Sequence, residues 1–422
     1  MILVKCTVYE FIKRKQIIQQ GFHMNYIIFL VLYSKYISIF IDYNPCIMIN
    51  RELENIIGSK IHKNKAIILL GPRQTGKTTL MMKLLSVTGE FLLLNCDDPV
   101  VREQLNNANT ETLRQILGKY RIVFIDEAQR INNAGLILKL IADTFKNIQL
   151  LVSGSSSFEL ADRINEPLTG RKWEYFLYPV SWKEFSDNAG HLNATRQLES
   201  RLIYGMYPEV INNPGDEKEI LRQLTDSFLY KDLLAYEGIR RPQLIVNLLR
   251  ALALQLGNEV SYNELSGLLQ VDNKTISTYI DLLEKAFVVF RLTPYRRNLR
   301  TEIGKSRKIY FYDTGIRNAL IANFNPLSIR QDTGAIWENF LIAERIKRNH
   351  YSRKWVNQYF WRTTLQQEID YLEESEGRIN AFEFKWSDSS GVKIPKSFLS
   401  SYPEASVKII TRKNFSDFIH PV

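Results

Sequence analysis

The chain has 422 residues, 55 Lys and Arg against 45 Asp and Glu, and a formal net charge of +10. With 45% hydrophobic and 24% charged residues it is neither disordered, collagenous nor coiled coil, and its length predicts two or three domains. Three Cys with no CxxC pair and five dispersed His exclude a disulfide framework and a local zinc cluster, and point to a reducing cytoplasm.

Residues 1–47 differ in composition from the rest, with ten Ile, five Tyr, four Phe and no Ala. The 18-residue run Met24–Ile41 is apolar but short for a bilayer, and Lys35 and two Ser interrupt it. Three readings stand: a membrane anchor, a partly buried extra helix, or translated upstream sequence. The Ile/Tyr/Asn/Lys bias favours the last, so 1–47 is read as a leader or non-native extension, with no membrane contact unless 24–41 inserts. Without it five basic and two acidic groups go, leaving +7. Met48 opens a segment that reads as an amphipathic helix.

Lys65-Ala-Ile-Ile-Leu-Leu70 reads as a buried strand, and it enters Gly71-Pro-Arg-Gln-Thr-Gly-Lys-Thr78. That run satisfies GxxxxGK[ST], and a helix is predicted from Thr79. Gly71 and Gly76 let backbone N–H groups close around phosphates at a helix N-terminus. Lys77 adds a point charge, Thr78 offers a hydroxyl to Mg²⁺, and Thr79 begins the helix behind them. Arg121-Ile-Val-Phe-Ile-Asp126-Glu127 is the expected acid-ended strand. Asp126 would position Mg²⁺ and Glu127 would polarise the attacking water. A kinase has less need of that second carboxylate, so a nucleoside-triphosphate hydrolase is expected.

Gly89–Asn95 reads as another parallel strand, with Cys96 after it as a buried small residue rather than a nucleophile. Gln149-Leu-Leu-Val-Ser153-Gly-Ser155 reads as the strand beyond the acidic one. Ser155 would then lie beside the terminal phosphate. Arg171, in Leu168-Thr-Gly-Arg171, is a candidate phosphate contact in its own or a neighbouring subunit, the alternative being a structural ion pair.

Tyr204-Gly-Met-Tyr-Pro-Glu-Val210 is a turn without evident chemistry. Beyond it, Leu244–Leu256, a capping box at Ser261-Tyr-Asn-Glu264 and Val271–Glu284 predict three helices, and Phe287–Leu292 a strand. Three helices and a β-hairpin make a winged helix, whose third helix can enter a major groove. Arg291–Lys308 carries seven basic residues (Arg291, Arg296, Arg297, Arg300, Lys305, Arg307, Lys308) against Glu302. This suits contact with the backbone of double-stranded DNA. The alternative is a solvated loop on a winged helix that only packs domains together.

Toward the C-terminus a helix at Ala335–Glu344 precedes strands at Gln358–Thr363, Gln367–Leu372 and Asn380–Trp386. A short helix at Lys396–Ser401 and a strand at Val407–Thr411 follow. The period of two puts Glu383 and Lys385 on one strand face, with Asp370 on the neighbouring strand. Together with Glu338 they form a constellation able to hold Mg²⁺ at Glu338, Asp370 and Glu383 and to hydrolyse a phosphodiester, Lys385 offsetting charge. Asp plus ExK also arises by chance on an exposed strand.

From about Met48 onward the chain resembles the predicted bacterial and archaeal AAA-type ATPases whose C-terminal half is a domain of unknown function similar to PD-(D/E)xK nucleases. The resemblance rests on Gly71–Thr78, Asp126-Glu127-Ala-Gln129, Gly154-Ser155-Ser156, Leu168–Arg171, Tyr207-Pro-Glu209, Lys308–Gly315, Trp337-Glu-Asn-Phe340, Trp361-Arg-Thr363 and Phe382–Lys385. It implies ATP as nucleotide with Mg²⁺, a winged helix and a restriction-endonuclease-like terminal domain. The turn at Gly205-Met206 departs from the Gly-Gly pair usual in the family.

The expected fold is an α/β P-loop NTPase with a parallel sheet, then a winged helix, then an α/β nuclease-like domain. The spans are 48–190 for the ATPase domain, 191–240 for a helical connector, 241–303 for the winged helix and 304–422 for the last domain. The expected function is an Mg²⁺-dependent ATPase engaging DNA, with cleavage at the last domain open, and a homo-oligomer a further expectation. The alternative is a nucleotide-dependent switch or scaffold without a nucleic-acid substrate.

Overall fold

The apolar runs bounded by turns become the strands of a parallel sheet in a computed structural model. It describes residues 48–63, 65–154, 168–228, 241–295, 307–363, 365–387 and 394–420. Ser155, the run 24–41, and Arg296, Arg297, Arg300, Glu302 and Lys305 lie outside the described residues. The described residues from Ile49 onward form one unit. Among the described residues no helix is long and apolar enough to cross a membrane.

Strands β1 (Ala66–Leu70), β2 (Leu92–Asn95), β3 (Ile122–Asp126), β4 (Gln149–Gly154) and β5 (Lys172–Phe176) lie in the order β2-β3-β4-β1-β5, all parallel. Every residue of β1, β3 and β4 is buried, as a sheet covered on both faces requires. Parallel pairing needs crossovers. Helix α1 (Lys77–Leu85) returns the chain after β1, and α2 (Ala134–Thr144) leads into β4.

Beyond β5 the chain is helical: α3 (Trp182–Ala189), α4 (His191–Tyr204), α5 (Pro242–Leu254), α6 (Tyr262–Leu269) and α7 (Asn273–Lys285). Ser181 and Glu184 cap α3 reciprocally, and Ser261 caps α6 through the Glu264 N–H. Strands β6 (Val289–Pro294) and β7 (Lys308–Phe311) then pair antiparallel, so the order of three helices and a strand pair is present. The pair is not a free wing. β6 also runs parallel to β8 (Asn357–Arg362), joining a sheet in the order β11-β10-β9-β8-β6-β7. The other members are β9 (Glu368–Ser375), β10 (Arg378–Phe384) and β11 (Ser406–Ile410). The sheet is thus continuous across the expected boundary at 303/304.

Helices α8 (Thr314–Leu320) and α9 (Thr333–Tyr351) follow β7. α9 continues seven residues past Glu344, where the expected helix ends. Glu344, Lys347, Arg348 and Asn349 are all buried, so its inner face is charged and breaks the amphipathic pattern that would mark it. One hydrophobic cluster surrounds the parallel sheet. A second runs from α3 through the helices to the inner face of the C-terminal sheet. Phe287 and Tyr351 belong to the first cluster, so the parallel sheet packs directly on the C-terminal half.

The turn after α4 is set by contact rather than by a glycine pair. Gly205 has φ 75° and ψ −165°, and a Cβ there would come within 2.1 Å of Asp313 Oδ1. Asp313 accepts from Met206 N at 2.6 Å and from Ile316 N at 3.0 Å, tying this turn to the start of α8. Met206 itself is buried, and only Gly205 of the pair needs to lack a side chain. A Gly205→Ala protein is expected to lose about 1–3 kcal/mol from backbone strain, with the collision added. A thermal midpoint equal to that of the unmodified protein would contradict this.

Candidate nucleotide site and C-terminal acidic cluster

The loop after β1 folds back on β5. Gly71 has φ 153°, and a Cβ there would meet Leu177 O at 2.1 Å, so no side chain fits. Thr75, fully buried, donates its hydroxyl to Pro72 O at 2.8 Å, and Gly76 caps α1. Lys77, on the first turn, donates to Gly71 O at 3.0 Å and Pro72 O at 2.9 Å, which keeps its ammonium inside the loop. Thr78 and Thr79 follow on α1, whose N-terminal N–H groups and dipole face the same space.

The acid-ended strand reaches the same point. Asp126 Oδ2 accepts from Thr78 Oγ1 at 2.8 Å, and Oδ1 accepts from the Ser153 hydroxyl. Asp126 is only 5% exposed, so its orientation is fixed by these two donors. A hydroxyl and a carboxylate converging in this way suit Mg²⁺, whose remaining ligands would come from phosphate and water. The residues present therefore fit the ion.

Glu127 sits in left-handed backbone, φ 54°, which turns its side chain out of the strand. Its N–H donates to Ser153 Oγ at 3.3 Å, and its carboxylate accepts from the Gln129 amide. Ser153 thus joins Asp126 to Glu127. Burial, with Asp126 nearby, pushes the Cys96 thiol up to about 12, so it is no nucleophile at neutral pH.

Arg171 is corrected. Ala66 N donates to Arg171 O at 2.9 Å, which puts Arg171 at the start of β1 and β5. The phosphate loop lies past the other end, about 13 Å of strand away. Its guanidinium pairs instead with Asp143 at 2.6 Å. It does not contact the nucleotide site of its own chain.

Arg51 has no local sequence signal yet holds the phosphate loop from behind. Its guanidinium donates to Thr75 O at 2.7 Å and Tyr178 O at 2.6 Å, and pairs with Glu184 at 3.0 Å. Burial opposes its charge, but Glu184 and Tyr351 together outweigh burial and the net shift is upward. Tyr178 N in turn donates to the Tyr351 hydroxyl at 3.2 Å, at the last residue of α9. Further along that helix, Glu344 accepts from Trp182 N at 2.6 Å and from Lys347 at 2.7 Å. The phosphate loop and the C-terminal helix are therefore bonded through two intermediates.

The C-terminal sheet does bring Glu338, Asp370, Glu383 and Lys385 into one cluster, in which Asp370 feels both Glu338 and Glu383. Lys385 pairs with Glu383 at 2.7 Å, and Phe384 N donates to Asp370 Oδ2 at 2.8 Å. Burial pushes the Asp370 carboxyl well above the ordinary range, with Glu338 and Glu383 adding to it. The metal role expected of Glu338, Asp370 and Glu383 does not fit this arrangement. One oxygen of each carboxylate already accepts from a donor of the protein, Glu383 Oε2 alone being buried without one, and among the described residues no three His, Cys, Asp or Glu are placed to share one metal ion.

The basic segment is corrected in part. Arg291 pairs with Asp281 at 2.8 Å and with Glu284, so its charge is taken up within the protein. Lys308 is 1% exposed and points into the acidic cluster, because β7 is the edge of a covered sheet and not a solvated wing. Arg307 lies over the Tyr262 ring at 4.6 Å. Among the described residues of this region, the start of α7 is exposed and polar, with Asp272, Asn273, Lys274 and Thr278 at the surface. A cleft of about 590 Å³ there is lined by Arg241, Gln270, Lys274, Thr275 and Thr278 among others.

Residues 63–186 match the family model described as an AAA domain. Residues 195–327 and 333–418 match two models described as domains of unknown function, DUF8612 and DUF4143. An uncharacterized protein of Mycobacterium tuberculosis, Rv2008c, is 28% identical over 342 residues, 79% of this chain and 73% of that protein. The uncharacterized protein MJ1544 of Methanocaldococcus jannaschii is 26% identical over 351 residues, 77% and 75% of the two chains. The solved structure of the Walker-type ATPase PABY2304 of Pyrococcus abyssi is 17% identical, covers 65% of this chain and 96% of its own, and has a TM-score of 0.45.

Proposed function

We propose, for a chain whose residues 63–186 match the AAA-domain family model, that it hydrolyses ATP and engages double-stranded DNA in the region of α7. Thr78 and Asp126 would hold Mg²⁺, which would supply positive charge to offset the negative charge of the phosphates. The loop N–H groups and Lys77 bind the phosphates. Glu127, steadied by Gln129 and by Ser153 through its own N–H, orients the water and takes its proton.

The DNA reading rests on the exposed start of α7, where Lys274, Thr278 and the nearby Arg241 present short polar and cationic groups. Residues at the start of the third helix are those that reach base edges in winged-helix and related docking. The ion pairs inside the acidic cluster speak against its cleaving DNA. Fluorescence anisotropy with a labelled duplex, titrated at several salt concentrations, tests this. Affinity is expected to fall steeply with salt, and Lys274→Ala is expected to flatten the slope by about 1. No binding at low salt would sink the DNA reading. The bonded path from Thr75 through Arg51 to Tyr351 favours a nucleotide-dependent switch as the second reading.

A further inference from the structure

The acidic cluster of the C-terminal sheet contains a cation of its own. Lys308 lies on β7, with its side chain only 2% exposed. Its ammonium meets Glu338 Oε1 at 3.0 Å and is also paired with Glu368. Tyr310, two residues along the same strand, donates to that same Glu338 oxygen. Arg362 backs Glu368 from the other side at 3.4 Å, and Lys385 holds Glu383. The ring of Phe360 lies 5.6 Å from the Lys308 nitrogen and closes off solvent.

An ammonium buried this deeply persists only where carboxylates compensate it, and carboxylates packed this closely stay ionised only with a cation among them. The two requirements are met by each other. A divalent ion brought beside Lys308 would meet a fixed positive charge at the Glu338 oxygen that Lys308 and Tyr310 already hold.

We propose that Lys308 is the resident cation of this cluster, filling the charge role a divalent ion would otherwise fill, so that Glu338 is a structural partner of Lys308 and not a metal ligand. The inference concerns the C-terminal sheet alone and stands or falls independently of ATP hydrolysis and of the DNA reading.

The test is Mn²⁺ binding by the full chain without nucleotide, followed by electron paramagnetic resonance, in the unmodified protein, Lys308→Met and Lys308→Met/Asp370→Asn. Lys308→Met is expected to gain a site at least about tenfold tighter than any in the unmodified protein, because the freed carboxylates then need a cation. The double variant is expected to lose it. Mn²⁺ bound by the unmodified protein at a site that Asp370→Asn abolishes would overturn the proposal. So would a folded Lys308→Met protein that gains no site. Should Lys308→Met not fold, Glu338→Gln decides by the sign of its thermal shift. A fall of at least about 2 °C is expected, since Lys308 loses its partner. A rise would mean that Glu338 stands among unrelieved like charges, and would overturn the proposal.

Discussion

A Glu127→Gln protein is expected to bind ATP about as well as the unmodified chain and to lose about 10²–10⁴ in turnover, the range for removing a positioned general base. The argument is geometric. Glu127 leaves the sheet one residue after Asp126, in left-handed backbone that directs it away from the strand. Ser153 receives its N–H, and Gln129 steadies its carboxylate. Neither Lys77 nor Thr78 bonds to it among the contacts described, so phosphate binding should survive the change. Gln keeps the shape and the bond to Gln129 but cannot take a proton. Phosphate release read beside nucleotide affinity separates the two effects. Turnover that survives the substitution would remove Glu127 from the chemistry.

Arg51→Met is expected to cost about 3–5 kcal/mol, the range for breaking a buried ion pair by removing one partner. Glu184 would lose its partner at 3.0 Å, and the carbonyls of Thr75 and Tyr178 would lose their donors. The Arg51 side chain is 7% exposed and that of Glu184 1%, so water cannot substitute freely. Because Thr75 lies within the phosphate loop, weaker ATP binding should accompany the loss of stability. The checks are the urea midpoint and the KM for ATP. A midpoint shift worth less than about 1 kcal/mol, the scale of an exposed pair, would show that the guanidinium is not the brace described.

The nucleotide site was legible because its signals are local. A strand, a Gly-bounded loop and a helix are consecutive in sequence, and an apolar run ending in Asp126-Glu127 needs only its own residues to be read. The C-terminal strands were legible for the same reason, since β8, β9 and β10 are short runs carrying aromatic and branched apolar residues. Arg51 was not legible, because its partners stand 24 and 127 residues away and nothing beside it marks burial. Lys308 was misread because charge counting cannot distinguish a solvated loop from a sheet edge covered by α9. Arg171 shows the same limit in reverse. Its position after a loop suggested reach toward phosphate, and only the parallel register of β1 and β5 shows that it lies at the opposite end of the sheet.

The most direct measurement is Mg²⁺-dependent ATP hydrolysis by the full chain beside Lys77→Ala. Turnover that requires Mg²⁺ and disappears with the Lys77 ammonium is the predicted result. No turnover in the unmodified protein, or equal turnover in Lys77→Ala, would contradict the assignment of the Gly71–Thr78 loop and Asp126-Glu127 as a working ATPase site.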